Sequence, residues 1–344
     1  MKSRLTAVDL FAGCGGLTQG LKDSGFNVLG AIELDQKARS TYSLNHPEVK
    51  LLGEDIRDVC GESLLNDLGL AAGELDLLAG CPPCQGFSTL RARAGHHPAA
   101  DDRNKLIDDF CRLALTLKPK AIMMENVPAL QKYVRFECLL NSLGAEGYKV
   151  DYKVLDAADY SVPQRRKRLI LVASRVGEPR LGKPSGEVYS VRSAIGGLKT
   201  PGFTGDALHD MPRKQQHEKT KAIIAAIPKD GGSRHSLPSA LRLRCHSKVT
   251  GFNDVYGRMA WNFASPTITS GCTNPSKGRF IHPDQDRPIT LREAALLQGF
   301  PMDYKFELRH GREAIALMIG NALPPPFIAA HGKAIAEGLS NGSN

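Results

Sequence analysis

Thr6-Ala7-Val8-Asp9-Leu10-Phe11-Ala12-Gly13-Cys14-Gly15-Gly16 decides the fold. Thr6 to Phe11 has the length and apolar character of a buried strand. It breaks into a glycine loop, and a helical stretch from about Leu17 to Asp23 follows. Strand, glycine loop and helix in that order open an α/β sheet. Glycines there let a backbone approach a ligand closely. The loop is not the dinucleotide fingerprint, because from Gly13 the third glycine would fall at position 18, which is Thr18.

The same alternation continues outward. Asn27–Ile32, Leu75–Ala79, Ala121–Met124 and Leu169–Ala173 read as further strands. Gln36–Leu44, Lys105–Leu117 and Phe136–Leu143 read as the helices between them. This predicts a doubly wound α/β domain with a mostly parallel sheet. The pattern breaks near Arg175. From Lys183 to Met259 the chain carries thirteen basic and six acidic residues, net +7 of the +9 in all 344 residues. Such a segment is either a solvated insertion or a small domain facing a polyanion. Thr290–Gln298, Gly311–Gly320 and Phe327–Leu339 are helical, the last two flanking the loop GNALPPP.

Composition narrows the class. Hydrophobic residues at 42% and charged residues at 24% exclude a disordered, collagenous or coiled-coil chain. No stretch is expected to reach the ~18 to 20 apolar residues of a membrane span. The start MKSRLTAVDLF does not read as a signal peptide, so a cytoplasmic location is expected. Eight scattered cysteines do not suggest a disulfide framework.

Several stretches carry chemistry. Glu33 ends the second strand, where a carboxylate can take two ribose hydroxyls, and Asp55 follows the third apolar run in GEDI. A glycine loop with acids after strands two and three suits a nucleoside ligand without a pyrophosphate, such as S-adenosylmethionine; each acid alone could equally be an ordinary loop carboxylate. Cys81-Pro82-Pro83-Cys84-Gln85-Gly86-Phe87-Ser88 sits at the carboxyl edge of the predicted sheet, where open α/β folds bind ligands. It allows three readings: a redox pair, which the two prolines disfavour; a zinc site, for which no second Cys-x-x-Cys exists; or a nucleophilic Cys84 on a stiff loop. Glu125-Asn126-Val127-Pro128 places a carboxyl group at the same edge, able to act as an acid toward a heterocyclic nitrogen. Gln164-Arg165-Arg166-Lys167-Arg168 is either a solvated basic face or, by strand alternation, a pair of guanidinium groups on one face.

In order, DLFAGCGG, ELD, GEDI, GCPPCQGFS, ENVP, QRRKR, SPTIT at Ser265–Thr269 and GNALPPP resemble the cytosine-5 DNA methyltransferases of the prokaryotic, restriction-modification or orphan type. The motifs span nearly the whole chain. The resemblance implies a methyltransferase large domain over 1–182 and 318–344. It also implies a target-recognition small domain over 183–290 and a hinge over 291–317. It implies transfer of a methyl group from S-adenosylmethionine to C5 of an extruded cytosine in a short duplex site, with Cys84 adding to C6. Glu125, Arg166 and Arg168 would act beside Cys84. Phe11, Gly13, Gly15, Gly16, Glu33, Asp55, Ile56, Pro82, Asn321 and Leu323 would form the cofactor pocket. Gln85 and Ser88 would close over the flipped base, and Arg242, Arg244, Lys248 and Arg258 are candidate DNA contacts. Cys81 is expected to be a small packed residue. No metal is expected. The partner is double-stranded DNA, with a restriction endonuclease acting separately where one exists, and a monomer suffices. Two other readings stand beside this: a tRNA cytosine-5 methyltransferase, whose Cys-Phe-Thr tripeptide is absent here, and an inactive DNA-binding regulator.

Overall fold

The computed structural model describes residues 4–83, 105–213, 216–243 and 254–341. Two compact units emerge: Met1–Tyr160 with Lys167–Gly186 and Leu323–Asn344, and Ser161–Arg166 with Glu187–Ala322. The segment 291–317, expected as a hinge, lies wholly in the second unit, and the return to the first unit comes at Leu323. Thr290 and Glu293 form a capping box, and the helix they start is buried along most of its length.

The first unit is built on seven strands: β1 (Thr6–Leu10), β2 (Asn27–Ile32), β3 (Lys50–Gly53), β4 (Leu77–Gly80), β5 (Ala121–Asn126), β6 (Lys149–Asp156) and β7 (Lys167–Ser174). Their order is β3-β2-β1-β4-β5-β7-β6. β1 to β5 pair in parallel, while β7 runs antiparallel to both β5 and β6. β4 and β5 are buried at every residue, as strands covered on both faces require. β6 (KVDYKVLD) is one edge of the sheet, opposite β3, and its charged residues suit an exposed edge.

Helices α1 (Gly16–Asp23), α2 (Gln36–Asn45) and α3 (Gly61–Leu68) follow the first three strands. α4 (Leu106–Leu117) and α5 (Val134–Ala145) pack against one another. Val8, Leu10, Leu78, Phe110, Leu113, Ile122, Met124 and Leu171 join helices and strands in one core, each at most 1% exposed. Burying such a side chain contributes about 1.5–3 kcal/mol. In the second unit, helices α6 (Val191–Ile195), α7 (Glu218–Ala226), α8 (Leu291–Leu297) and α9 (Gly311–Asn321) alternate with turns. Its described residues form only isolated β-bridges, in line with the irregular structure its sequence suggests.

α10 (Pro325–Asn341) returns to the first unit and packs on α1. Gly20 makes that approach possible, since a Cβ there would lie 2.5 Å from Pro325 O and 2.6 Å from Ile328 Cβ. Leu308–Asn341 is long and apolar enough by composition to cross a membrane. Within it, 67% of the most apolar window is buried inside the protein, as in a core helix.

Candidate active site

The strand order reverses between β1 and β4, and ligands of open α/β sheets bind at the carboxyl ends of strands around such a point. The β1 end carries an unusual backbone. Phe11 has φ 63°, and Gly13 and Gly15 have φ 58° and 98°. A left-handed phenylalanine costs about 1–3 kcal/mol and persists where its surroundings impose it, commonly at a ligand site. Phe11 packs partly against the core. A Cβ added at Gly13 would meet nothing within 4 Å, so the loop faces open space there. Gly15 caps α1, and Gly16 is its first residue.

Glu33, just past β2, grips this loop. Its Oε2 accepts from Gly13 N–H (2.7 Å) and its Oε1 from Asp35 N–H (2.7 Å). Burial raises its carboxyl pKa, opposed by those backbone donors. Below it lies Asp9, fully buried in β1. Thr18 Oγ1 donates to Asp9 Oδ2 (2.6 Å) and pairs with Tyr42 OH (2.9 Å). Burial pushes Asp9 up to about 7, with Glu33 adding like-charge repulsion. The signal for Asp9 in the sequence is a lone acid inside the apolar strand TAVDLF.

Asp55 precedes a 3₁₀ turn over Ile56–Asp58. Its carboxylate accepts from Arg57 N–H (3.0 Å) and from the Arg57 guanidinium, which holds its pKa below the usual range. With Leu52, Val59 and Leu64 it lines a cavity of about 320 Å³. Ile56 is buried, and its carbonyl accepts from Arg112 Nη2 (2.7 Å). A second cavity, of about 480 Å³, lies between α4 and α5 and contains none of the predicted site residues.

Glu125 stands near the end of β5, 2% exposed. Two neighbours meet its carboxyl group, and strand register explains both. Gly80 pairs with Met124 in the parallel β4–β5 ladder, so Cys81 follows beside Glu125. Cys81 Sγ donates to Glu125 Oε2 (2.7 Å). In the antiparallel β5–β7 ladder Glu125 faces Ile170, making Arg168 its diagonal neighbour. Arg168 Nε lies 2.8 Å from Glu125 Oε1, at ion-pair distance. It is off hydrogen-bond alignment, and Oε1 has no aligned donor among the described residues. Asn126 Nδ2 donates to Pro82 O (2.9 Å), tying the start of the proline loop to β5. Cys84, Gln85 and Ser88 lie outside the described residues.

β7 begins at Lys167, and Arg166 lies in the second unit, 4% exposed. Its Nη1 and Nη2 donate to Ile268 O (3.1 Å) and Gly320 O (3.1 Å), so its guanidinium is engaged within the second unit. Gln164, from the same motif, is fully buried and was not singled out in the sequence. Its side chain donates to Gln298 Oε1 (2.7 Å) and accepts from Ile268 N–H (2.8 Å).

Arg258 is also corrected. It is 0% exposed, and its guanidinium donates to the carbonyls of His282, Gln285, Ile224 and Ile227 and to Asp286. A group enclosed in this way holds its own unit together and does not meet DNA. Arg242 is exposed, with Nε donating to Leu237 O (2.9 Å). Arg244 and Lys248 lie outside the described residues. Asn321 is exposed at the end of α9 in the second unit, while Leu323 is buried in the first.

The sequence profile of the C-5 cytosine-specific DNA methylases matches residues 5–337. The chain is 37% identical to the Type II methylase M.HgiDII of Herpetosiphon aurantiacus, over 96% of this chain and 94% of that protein. It is 31% identical to the Type II methyltransferase M1.HphI of Haemophilus parahaemolyticus, over 98% and 88%. Among solved structures, an Escherichia coli prophage-encoded putative DNA modification methyltransferase superposes with a TM-score of 0.68. It shares 25% identity, and the match covers 98% of this chain and 99% of that one.

Proposed function

The chain belongs to the C-5 cytosine-specific DNA methylase family, and we propose that it methylates C5 of a cytosine in a short duplex DNA sequence, using S-adenosylmethionine, base extrusion and a covalent bond from Cys84 to C6. The observation that supports this most is the buried Glu125 carboxyl group. It is flanked by Cys81 and Arg168 at the strand ends from which the proline loop departs.

The strand ends around Phe11 suit the methyl donor. Gly13 and Gly15 supply left-handed backbone beside open space, Glu33 supplies a carboxylate for ribose hydroxyls, and Phe11 supplies an apolar face for adenine. Asp55, Ile56, Pro82 and Leu323 are the further residues assigned to this pocket. When bound, S-adenosylmethionine supplies an electrophilic methyl group on a sulfonium.

Cytosine C5 is a weak nucleophile inside the base stack, so the base must first be extruded, at a cost of about a few kcal/mol. The Cys84 thiolate then adds to C6, and the electron pair of the C5–C6 double bond becomes available at C5. Glu125, presenting a proton at N3, offsets the charge this addition pushes into the ring. Arg168, beside the Glu125 carboxyl group, would contact the base carbonyl. C5 takes the methyl group as its bond to the sulfonium breaks and S-adenosylhomocysteine is left, a base removes the C5 proton, and elimination expels the Cys84 thiolate. Exposed Arg242, with Arg244 and Lys248, would contact phosphates; Gln85 and Ser88 would close over the base. The enzyme acts in the cytoplasm, as a monomer, on double-stranded DNA, alone or alongside a restriction endonuclease.

The test is transfer of labelled methyl groups to unmethylated duplex DNA by the purified chain. Label in DNA, lost in Cys84→Ser, is the expected result. Absence of label in DNA of every sequence offered, or an unaffected Cys84→Ser variant, overturns the reading.

A further inference from the structure

Cys81 touches the candidate acid although the sequence suggests no role for it. Its Sγ lies 2.7 Å from Glu125 Oε2, the oxygen opposite the one Arg168 approaches. Its backbone is fixed as well. Cys81 N–H donates to Leu10 O (3.3 Å), and the next residue, Pro82, accepts from Asn126 Nδ2 (2.9 Å). The residue lies between the β4 end and the prolines that lead to Cys84.

We propose that Cys81 is a positioning residue for methyl transfer: its thiol, holding Oε2 while Arg168 stands beside Oε1, fixes the rotation of the Glu125 carboxyl group toward the base. The carboxyl torsion of a glutamate is broad and roughly two-fold, so an unheld carboxyl group samples many orientations. A donor on one oxygen and a guanidinium beside the other restrict it. Proton transfer depends on a group held within hydrogen-bond reach of its target, and a misplaced one loses rate without losing substrate affinity. The parallel ladder that sets Cys81 beside Glu125 gives the device its rigidity. The inference rests on the methyl-transfer reading.

The experiment compares the full-length chain with Cys81→Ala and Cys81→Ser on unmethylated bacterial genomic DNA, with S-adenosylhomocysteine binding measured in parallel. Cys81→Ala is expected to lower kcat about tenfold, equivalent to about 1.4 kcal/mol, while KM for DNA and the S-adenosylhomocysteine Kd stay within about twofold. Cys81→Ser, which keeps a donor, is expected to recover to within about threefold of the parent. Should the alanine variant not fold, Cys81→Val fills the volume without a donor and takes its place. An unchanged kcat in the donor-free variant overturns the proposal. So do Ala and Ser variants that are equally slow, because loss of packing alone would then account for the effect. A parent chain that transfers no methyl group to DNA removes the functional reading itself, before the cysteine is at issue.

Discussion

The sheet unit closes over Leu10, Leu78, Phe110, Leu113 and Ile122, whereas the second unit adds buried arginines to a smaller apolar cluster around Ile223, Ile224, Leu237 and Ile281. Arg258 bridges four carbonyls and Asp286, Arg166 bridges Ile268 and Gly320, and Arg287 pairs with Glu293. A unit with short helices and no continuous ladder among its described residues leaves many backbone carbonyls to satisfy, and a guanidinium offers five donors in one planar group. A basic excess in such a unit is therefore partly internal. The Arg166–Arg168 contrast shows this within two residues: one serves the backbone of the second unit, the other stands at the candidate acid in the first.

The largest expected effect lies at the sheet unit's site. Glu125→Gln keeps the shape of the side chain but not its acidity. It should lower transfer about 10²–10⁴-fold while leaving S-adenosylhomocysteine binding intact. Calorimetric binding beside single-turnover rates checks both halves.

Next comes the anchor of the second unit. Arg258→Met leaves several buried carbonyls without a donor and should destabilise the protein by about 3–5 kcal/mol in chemical denaturation. Leu113→Ala, in the aliphatic core, should cost about 2–5 kcal/mol. If Arg258→Met instead weakens DNA binding in a stable protein, the division of labour drawn between the units is wrong.

Stability against pH probes two buried groups of the sheet unit with opposite signs. Asp9, raised by burial to about 7, holds its proton in the folded chain where the unfolded chain has lost it. Its contribution is full below the ordinary aspartate pKa of 3.8 and is lost as pH rises through about 7. His331, lowered by burial to about 4, accepts from Gly182 N–H (2.9 Å) as a neutral ring. Its contribution is full above 6.5 and is lost as pH falls toward 4. Asp9→Asn should therefore raise the melting temperature relative to the parent at pH 8 and not at pH 4.5. The same difference at both pH values would contradict the assignment.

The smallest effect is expected at the exposed Arg242. Arg242→Ala should reduce the salt dependence of DNA binding by about one unit of slope, with little change in stability. An unchanged slope would take Arg242 off the DNA surface.

What could be read in the sequence follows the same divide. β2 is read at both ends, Asn27–Ile32, and β1, β4, β5 and β7 within a few residues, because continuous apolar runs mark strands buried on both faces. β6 went unread because its charged residues alternate along an exposed edge. Glu125 was found from its place after a strand, but its contact with Cys81 depends on which strands pair and in what register, which no local pattern encodes. Arg258 was misassigned because a buried arginine and a phosphate-binding arginine look alike in a basic segment.

The most direct test of the central claim is covalent capture. Duplex DNA with 5-fluorocytosine at the modified position, incubated with enzyme and S-adenosylmethionine, should yield a denaturation-resistant complex, because fluorine cannot leave as the C5 proton does. Mass mapping should place the link on Cys84. An active enzyme that forms no such complex, or one linked through Cys81 or another residue, contradicts the account.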